Sequence, residues 1–415
     1  MRILLIAPQP FYQERGTPIA VDLLLRVLSE RGDEVHVATF HEGTDVTYLG
    51  VTLHRIQPPP LARGVPPGFS LKKIMCDAAL FFLVNRLVRE VRPQVIHAVE
   101  ESVFFARRLS RKRGIPYVYD MDSSLARQLV ESKPALKPFA KIFQGMEAAA
   151  CRDAAHVVPV CDALAELARA AGAQRVTLLR DISLLGRMTG AAEPDLRASL
   201  GLRGPIFMYV GNLEKYQGAD LLLEAWASAF RQVGAVPRTA KTVVAARGAT
   251  PTEATSTAGL GSLVIIGGAA AHIAAYRQRA AELGVAESVH FLGPRPVGAL
   301  AALLAQADVL VSPRTRGNNT PMKIYSYLDA GKAVLATALP THTQVLTSAC
   351  ARLAAAEPVA FGAAIAELAG DATLRARLGM AAQSEARAKY SYDVFRATLR
   401  GIYGELDELV KGKKA

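Results

Sequence analysis

Short apolar runs alternate with helix-length amphipathic segments along almost the whole chain, and this alternation restricts the fold more than any other feature. The run Ile3–Ala7 is followed by a segment from Pro18 to Glu30 in which Ile19, Leu23, Leu24, Val27 and Leu28 share one helical face. Arg31-Gly32-Asp33 stops that helix and Glu34–Thr39 is the next run. Val51–Ile56, Val95–Ala98, Tyr117–Asp120 and His156–Val160 continue the series. The rhythm breaks around Thr177–Pro194 and then restarts with Ile206–Val210, a helix Ala219–Ala229, Leu263–Ile266 and a helix from Ala270 to Leu283. His290–Leu292, Val309–Val311 and Ala333–Ala336 complete it. Strands separated by helices pair in parallel and are covered on both faces, so the pattern predicts two doubly wound α/β domains in tandem. Their expected bounds are 1–188 and 189–388, with a last helix, 389–415, returning to the first domain. The Ala/Thr/Gly-rich stretch Thr239–Ser262 reads as a loose insertion. Sheets of this kind bind ligands outside the carboxyl ends of their strands, and two facing sheets leave a cleft for a small molecule.

Composition agrees where it bears on function. A chain of 415 residues at about 150 per domain suggests two or three domains. With 51% apolar and 21% charged residues it can bury large cores, which excludes a disordered class. The net charge is +12, and residues 55–113 hold 12 basic against 4 acidic residues. That surplus suits nucleotides or an anionic membrane surface; the cations do not interleave with aromatics, so nucleic acid is not an expected partner. The four cysteines form no CxxC pair, and no metal site is expected. Met1–Pro8 reads as a strand rather than a leader, and no apolar stretch reaches membrane-spanning length. The expected location is the cytoplasm, with peripheral contact at the inner face of the cytoplasmic membrane an open alternative.

No GxGxxG follows the first strand and no GxxxxGK[ST] occurs, which removes the main support for dehydrogenase and P-loop readings. Two other turns carry more. Arg15-Gly16-Thr17-Pro18 precedes the first helix, and Arg316-Gly317-Asn318-Asn319-Thr320-Pro321 precedes a helix expected over Met322–Ala330. In both, Thr suits the N-cap and Pro the first helical position. Free backbone N–H groups, the positive helix end and a glycine then favour an anion. In the second turn Lys323 lies where the helix dipole disfavours a cation by about 0.3–1 kcal/mol. A bound anion reverses that sign, and Arg314 and Arg316 stand just before it.

These residues resemble a known family. The segment from Val311-Ser312-Pro313 through Lys323 and Gly331 to Ala336-Thr337 resembles the donor-site segment of glycosyltransferase family 4, retaining enzymes of the GT-B fold. Its usual form is a serine–proline pair, an E-x7-E element, a small-residue helix and G-x-P-V-V-A-T. Phe207–Leu223 is similar to the family's strand-G-R-L-x-x-x-K-G element. Gly16-Thr17 and Ala20-Val21 after Ile6-Ala7-Pro8 are similar to its amino-terminal signature, and Asp122–Ser124 to its post-strand loop. The resemblance covers essentially the whole chain.

It implies two Rossmann-like domains facing each other across a cleft and transfer of a sugar, with retained anomeric configuration, from a UDP- or GDP-sugar to a saccharide or lipid-linked acceptor. No cofactor is implied. The family's two glutamates fall at Asn318 and Ser326, its basic pair at Asn212 and Gln217, and its post-strand histidine at Asp122. Carried over residue by residue, Lys323, Asn318 and Asp122 form the catalytic set. Gly16, Thr17, Gly211, Asn212, Lys215, Gln217, Arg295, Arg314, Arg316, Gly317, Asn319, Thr320, Pro321 and Ser326 hold the donor. His97, Glu101 and Asp120 face the acceptor. A departing diphosphate needs cations and oriented N–H groups, and Lys215, Arg314, Arg316 and Lys323 stand in for the missing pair.

Several alternatives stay open. The lost charges also fit a GT-B protein that binds a nucleotide sugar or saccharide without turnover, and a nucleotide-sugar epimerase shares the architecture. A hydrolase would need two carboxylates facing each other across the bond, which nothing in the sequence places. Leu71, Ile74, Met75, Ala78, Phe81 and Phe82 recur at helical spacing beside Lys72-Lys73, as a core-facing helix or as one lying on an anionic membrane. Glu100 reads as a helix-start charge. Val394, Phe395, Leu399, Ile402 and Tyr403 form an apolar stripe on the last helix, expected to pack on the first domain and to form part of a hinge.

Overall fold

A strand buried on both faces by helices needs a continuous apolar run, and each such run here folds as a parallel strand. The computed structural model describes residues 1–13, 16–60, 62–65, 70–132, 134–187, 193–235, 259–317 and 319–412. Within these the chain divides into two compact units, unit 1 of Met1–Asp181 with Tyr392–Ala415 and unit 2 of Ile182–Ser391.

Unit 1 runs β1 (Arg2–Ala7), α1 (Gly16–Glu30), β2 (Glu34–Thr39), β3 (Val51–Arg55), α2 (Leu71–Val91), β4 (Val95–Val99), α3 (Val103–Arg113), β5 (Tyr117–Met121), α4 (Leu125–Ser132), α5 (Ala140–Asp153), β6 (His156–Pro159) and α6 (Asp162–Ala170). Its strand order is β3-β2-β1-β4-β5-β6. Leu4 of β1 lies opposite His36 on one side and Ile96 on the other. The chain winds outward in one direction from β1 and in the other from β4, so the switch point lies between these two strands. Leu4, Ile6, Ile96, Ala98, Tyr117 and Tyr119 turn to the face covered by α2, α3, α5 and α6.

Unit 2 runs α7 (Leu196–Leu200), β7 (Ile206–Val210), α8 (Ala219–Ala235), β8 (Ser262–Ile266), α9 (Ala270–Glu282), β9 (Val289–Gly293), α10 (Leu300–Ala305), β10 (Val309–Ser312), α11 (Lys323–Asp329), β11 (Ala333–Thr337), α12 (Pro340–Thr343), β12 (Arg352–Ala354), α13 (Pro358–Gly370) and α14 (Ala372–Lys389). The order β12-β11-β10-β7-β8-β9 repeats the same winding, with its switch point between β7 and β10. Phe207 and Tyr209 pack toward α8 and α13, where Trp226 is fully buried, while Ile206 and Met208 pack toward α10 and α11. Alternate residues of one strand thus fill two cores.

The last helix, α15 (Tyr392–Gly412), belongs to unit 1 and buries Phe395, Leu399, Ile402, Tyr403, Leu406 and Val410. It packs on α1: Arg31 donates to Asp407 at 2.7 Å, and the Tyr392 hydroxyl to Glu30 at 2.8 Å.

Some expectations are corrected. Val394 is exposed, since it falls outside the arc that meets α1. The expected insertion 239–262 lies largely outside the described residues, but Ser262 is buried and opens β8 instead. Of the α2 residues expected to share a core-facing side, Leu71, Ile74, Ala78 and Phe82 are exposed and Met75 and Phe81 half-buried; the face that meets the sheet is Cys76, Leu80, Leu83, Val84 and Leu87 instead. No described helix is long and apolar enough to cross a membrane.

Candidate functional site

A doubly wound sheet leaves loops diverging from its switch point, and the chemistry of each unit collects there. In unit 2 the loop after β7 (Gly211–Gly218) meets the loop after β10 (Pro313–Met322). Thr315 N–H donates to Tyr216 O at 3.0 Å, and a Cβ on Gly218, at φ +80°, would lie 1.9 Å from Pro313 O. Only glycine permits so close a crossing.

The two cations nearest this crossing have no acidic partner among the described residues. Lys323 encloses its ammonium over the Tyr209 ring, 3.9 Å from the centroid, and a Cβ on Gly211 would reach its Nζ at 3.3 Å. Burial, and then the neighbouring Arg314, push the Lys323 pKa down to about 7. Arg314 lies over the Tyr216 ring at 5.2 Å and is likewise lowered by burial. Its Nε donates to Arg316 O at 2.7 Å and its Nη1 to Asn319 O at 3.4 Å, so the guanidinium folds its own loop around it. Among the described residues no carboxylate lies within ion-pair distance of either cation. Buried charge without a counter-charge is costly unless a ligand supplies it. Two buried oxygens, Gln217 Oε1 and Thr320 Oγ1, also lack partners.

The sequence analysis missed the support beneath these cations. His342 is fully buried; its Nδ1 lies 3.0 Å from Thr337 O and its Nε2 2.8 Å from Ser312 Oγ. A carbonyl only accepts, so Nδ1 carries the hydrogen and Nε2 accepts from the serine hydroxyl. Thr337 Oγ1 in turn donates to Arg314 O at 2.6 Å. The network ties the ends of β10 and β11 to the residue that presents the guanidinium. Burial pushes the His342 pKa down to about 3, and Lys323 and Arg314 add to the shift, so the ring stays neutral. The network joins two short segments, Ser312 with Arg314 and Thr337 with His342, across 23 to 30 residues, which leaves no local signal.

Other expected donor residues are placed as follows. Thr320 and Pro321 are not the N-cap and first residue of a helix: α11 starts at Lys323 after Met322, because Ile324 N–H bonds Pro321 O and Tyr325 N–H bonds Met322 O in a tighter turn. Ser326 is buried in α11, where its hydroxyl accepts from Leu184 N–H at 3.3 Å. Asn212 and Lys215 are exposed beside Gln217, and Arg316 and Gly317 are exposed on the loop after β10. Asn319 accepts from Thr341 Oγ1 at 2.7 Å. Arg295 follows β9, two strands from β7, and donates to Leu292 O at 3.0 Å while lying 3.7 Å from Glu193. Asn318 lies outside the described residues.

Unit 1 collects carboxyl groups at the corresponding position. Thr17 is not an N-cap, since α1 already begins at Gly16; its hydroxyl hydrogen-bonds Asp122. Burial, then Asp120, Glu100 and Asp181, raise the Asp122 pKa well above the carboxylate range. Glu100, at φ +47°, is no solvated helix-start charge: burial and Glu101 push it up to about 7. Asp181 reaches about 7 through burial and Asp120. Asp120 accepts from His97 Nε2 at 3.2 Å, and His97 Nδ1 lies 2.9 Å from the Tyr403 hydroxyl on α15. Glu101 pairs with Lys73, which also donates to Pro8 O at 2.7 Å, so its carboxylate is already engaged. Among the described residues, no three His, Cys, Asp or Glu are grouped so as to hold a metal ion.

Comparison with known proteins follows this division. Residues 15–180 match the family model described as glycosyl transferase 4-like domain, and residues 204–371 the model for glycosyl transferases group 1. No curated protein matches the chain by sequence. Among solved structures, Alr3699/HepE from Anabaena in complex with UDP is 17% identical with a TM-score of 0.70, over 98% of this chain and 100% of that one. Sucrose-phosphate synthase from Thermosynechococcus elongatus is 18% identical with a TM-score of 0.74, over 98% and 99%. A glycosyltransferase from Rickettsia africae is 11% identical with a TM-score of 0.63, over 98% of each chain. The two doubly wound sheets are those of the GT-B fold, and the chain belongs to glycosyltransferase family 4.

Proposed function

We propose that the chain transfers a sugar, with retained anomeric configuration, from a UDP- or GDP-sugar to a saccharide or lipid-linked acceptor. The observation that carries this reading is the pair of half-buried cations, Lys323 and Arg314, at the switch point of unit 2, with no carboxylate within ion-pair distance among the described residues. A nucleoside diphosphate supplies the missing charge. On binding it returns the Lys323 ammonium to its protonated state, and charge developing on the β-phosphate as the anomeric bond breaks meets two cations already in place. The acceptor hydroxyl attacks from the face the diphosphate leaves, and the departing phosphate takes its proton, so no protein nucleophile is required. Asn212, Lys215, Arg316 and Thr320 line the approach to the phosphates in this reading, and Asp120 and Asp122 receive the acceptor's hydroxyls. The UDP bound in the Anabaena neighbour makes UDP the first nucleotide to test.

A second reading is binding without turnover, favoured by uncharged Asn212 and Gln217 where the family carries its basic pair and by the commitment of Ser326 to Leu184. Titration calorimetry with UDP and GDP, together with release of free nucleotide from UDP- and GDP-sugars over an acceptor panel, separates the two. Binding with nucleotide release and a glycosylated product supports transfer. Tight binding without release supports the second reading, and absence of binding overturns both.

A further inference from the structure

Strands β7 and β10 flank the switch point of unit 2, and their ladder ends early. Among the described residues it pairs Phe207 with Val309 and Met208 with Leu310 and goes no further, although β7 stays paired with β8 as far as Val210 and β10 with β11 as far as Ser312. Rungs of a parallel ladder are evenly spaced, so the next one would carry Val210 N–H to β10. It goes instead to the Tyr327 hydroxyl, at 2.8 Å, and that oxygen also lies 3.5 Å from Val210 O. Tyr327 is fully buried. One side chain of α11 thus stands where a strand would, and the two strands stay apart beyond it.

The opening has an occupant. Lys323 lies one turn before Tyr327 on α11, so the two side chains leave the helix on the same side. α11 packs on the face of the sheet that Met208 fills, whereas Tyr209 packs on the other face. Lys323 nevertheless ends 3.9 Å from the centre of the Tyr209 ring, so its stem passes the end of β7 through the opening. Gly211 keeps that passage clear, since a Cβ there would lie 3.3 Å from Nζ and 3.1 Å from the Tyr209 hydroxyl. The charged and titratable groups facing the ammonium are Tyr209 from β7, Arg314 from the loop after β10, His342 from α12 and Tyr327 from its own helix.

We propose that Tyr327 is a positioning residue: by taking the Val210 N–H it holds β7 and β10 apart and keeps open the slot through which Lys323 reaches the phosphate site. The slot stands on geometry alone; that the ammonium meets a diphosphate there rests on the functional reading above. Without the hydroxyl, Val210 N–H is satisfied again only if β10 closes on β7 or water enters, and either removes the dry slot. The ammonium then leaves the ring for solvent, where a lysine titrates in its ordinary range.

The test is Tyr327→Phe, read first without nucleotide. In protein carrying carbon-13 at lysine Cε, the Lys323 resonance is identified by its loss in Lys323→Arg. It should titrate at about 7 in the wild type and at least about one pH unit higher in Tyr327→Phe, a tenfold change in proton affinity. UDP affinity should fall about tenfold. Tyr325→Phe removes an equally buried hydroxyl from the same helix, on the side that meets Tyr390, and should leave both readings unchanged. An unchanged Lys323 midpoint in folded Tyr327→Phe overturns the proposal even if the melting temperature falls, as does an equal shift in Tyr325→Phe. If Tyr327→Phe does not fold, Tyr327→Met, which also lacks the hydroxyl, is read against the same two outcomes. A wild type that binds no UDP overturns the functional reading, while the midpoint still decides for or against the slot.

Discussion

The two units wind in the same order around their switch points and fill those points with opposite chemistry. Unit 2 places Lys323 and Arg314 over aromatic rings with no carboxylate within ion-pair distance among the described residues, whereas unit 1 crowds Glu100, Asp120, Asp122 and Asp181 within mutual electrostatic reach. Burial raises the pKa of Glu100, Asp122 and Asp181 in one unit and lowers that of Lys323 in the other, each time toward the uncharged form. A shared fold therefore fixes where a ligand binds, and the side chains decide its sign. In the proposed reaction the cationic unit holds the diphosphate and the acidic unit meets hydroxyl groups.

The largest expected effect tests how rigidly unit 2 presents its cations. His342→Ala orphans the Ser312 hydroxyl and frees the hold on Thr337, and should cost about 2–3 kcal/mol in urea unfolding. A loss below half of that would detach the network from the site. Next comes Lys323→Ala, for which kcat should fall at least tenfold, about 1.4 kcal/mol of transition-state stabilisation. Wild-type binding of UDP at pH 8 should take up close to one proton, read by calorimetry in buffers of different ionisation enthalpy, and the variant should take up none. An unchanged kcat in a folded variant removes Lys323 from the mechanism.

Smaller is the loss in Tyr403→Phe, which removes only the hydroxyl beside His97 and should lower stability by about 1 kcal/mol. A neutral result would mean that His97 and Asp120 do not depend on α15.

The subtlest test is of sign. Glu100 and Asp181 are raised to about 7, so folded unit 1 binds more protons than the unfolded chain between the ordinary carboxyl range and that value. Their contribution is full at acid pH and is lost as pH rises through about 7. Lys323 is depressed to about 7, so its contribution is full above the ordinary lysine range and is lost as pH falls toward 7. Glu100→Gln should flatten the acid side of the stability profile and Lys323→Met the alkaline side. Flattening of the same side by both would refute the division.

The strands were readable because a buried parallel strand must be apolar throughout: Glu34–Thr39 and Ile206–Val210 have the same bounds in sequence and structure. Both helix starts were misplaced, because Thr-Pro is a local cue while the turn at Pro321–Tyr325 is set by tertiary contacts around Lys323. The anion-site reading of Lys323 and Arg314 rested on their spacing, and the structure brings both to one loop crossing. His342 and Glu100 carried no such mark: one reaches a partner, Ser312, 30 residues away, and the other is half-covered only by what folds over it.

Unit 1 is discontinuous: its last helix follows the whole of unit 2 in the chain. During synthesis the first 181 residues emerge with α1 lacking its cover from α15 and His97 lacking Tyr403, and these gaps last until unit 2 has been made in full. Completion of unit 1 therefore waits for the end of the chain, by a closure spanning more than 200 residues, although its whole sheet is made first. Ribosome-bound chains halted before Tyr392 should hold a protease-resistant unit 2 beside an unfinished unit 1 that still exposes apolar surface to chaperones.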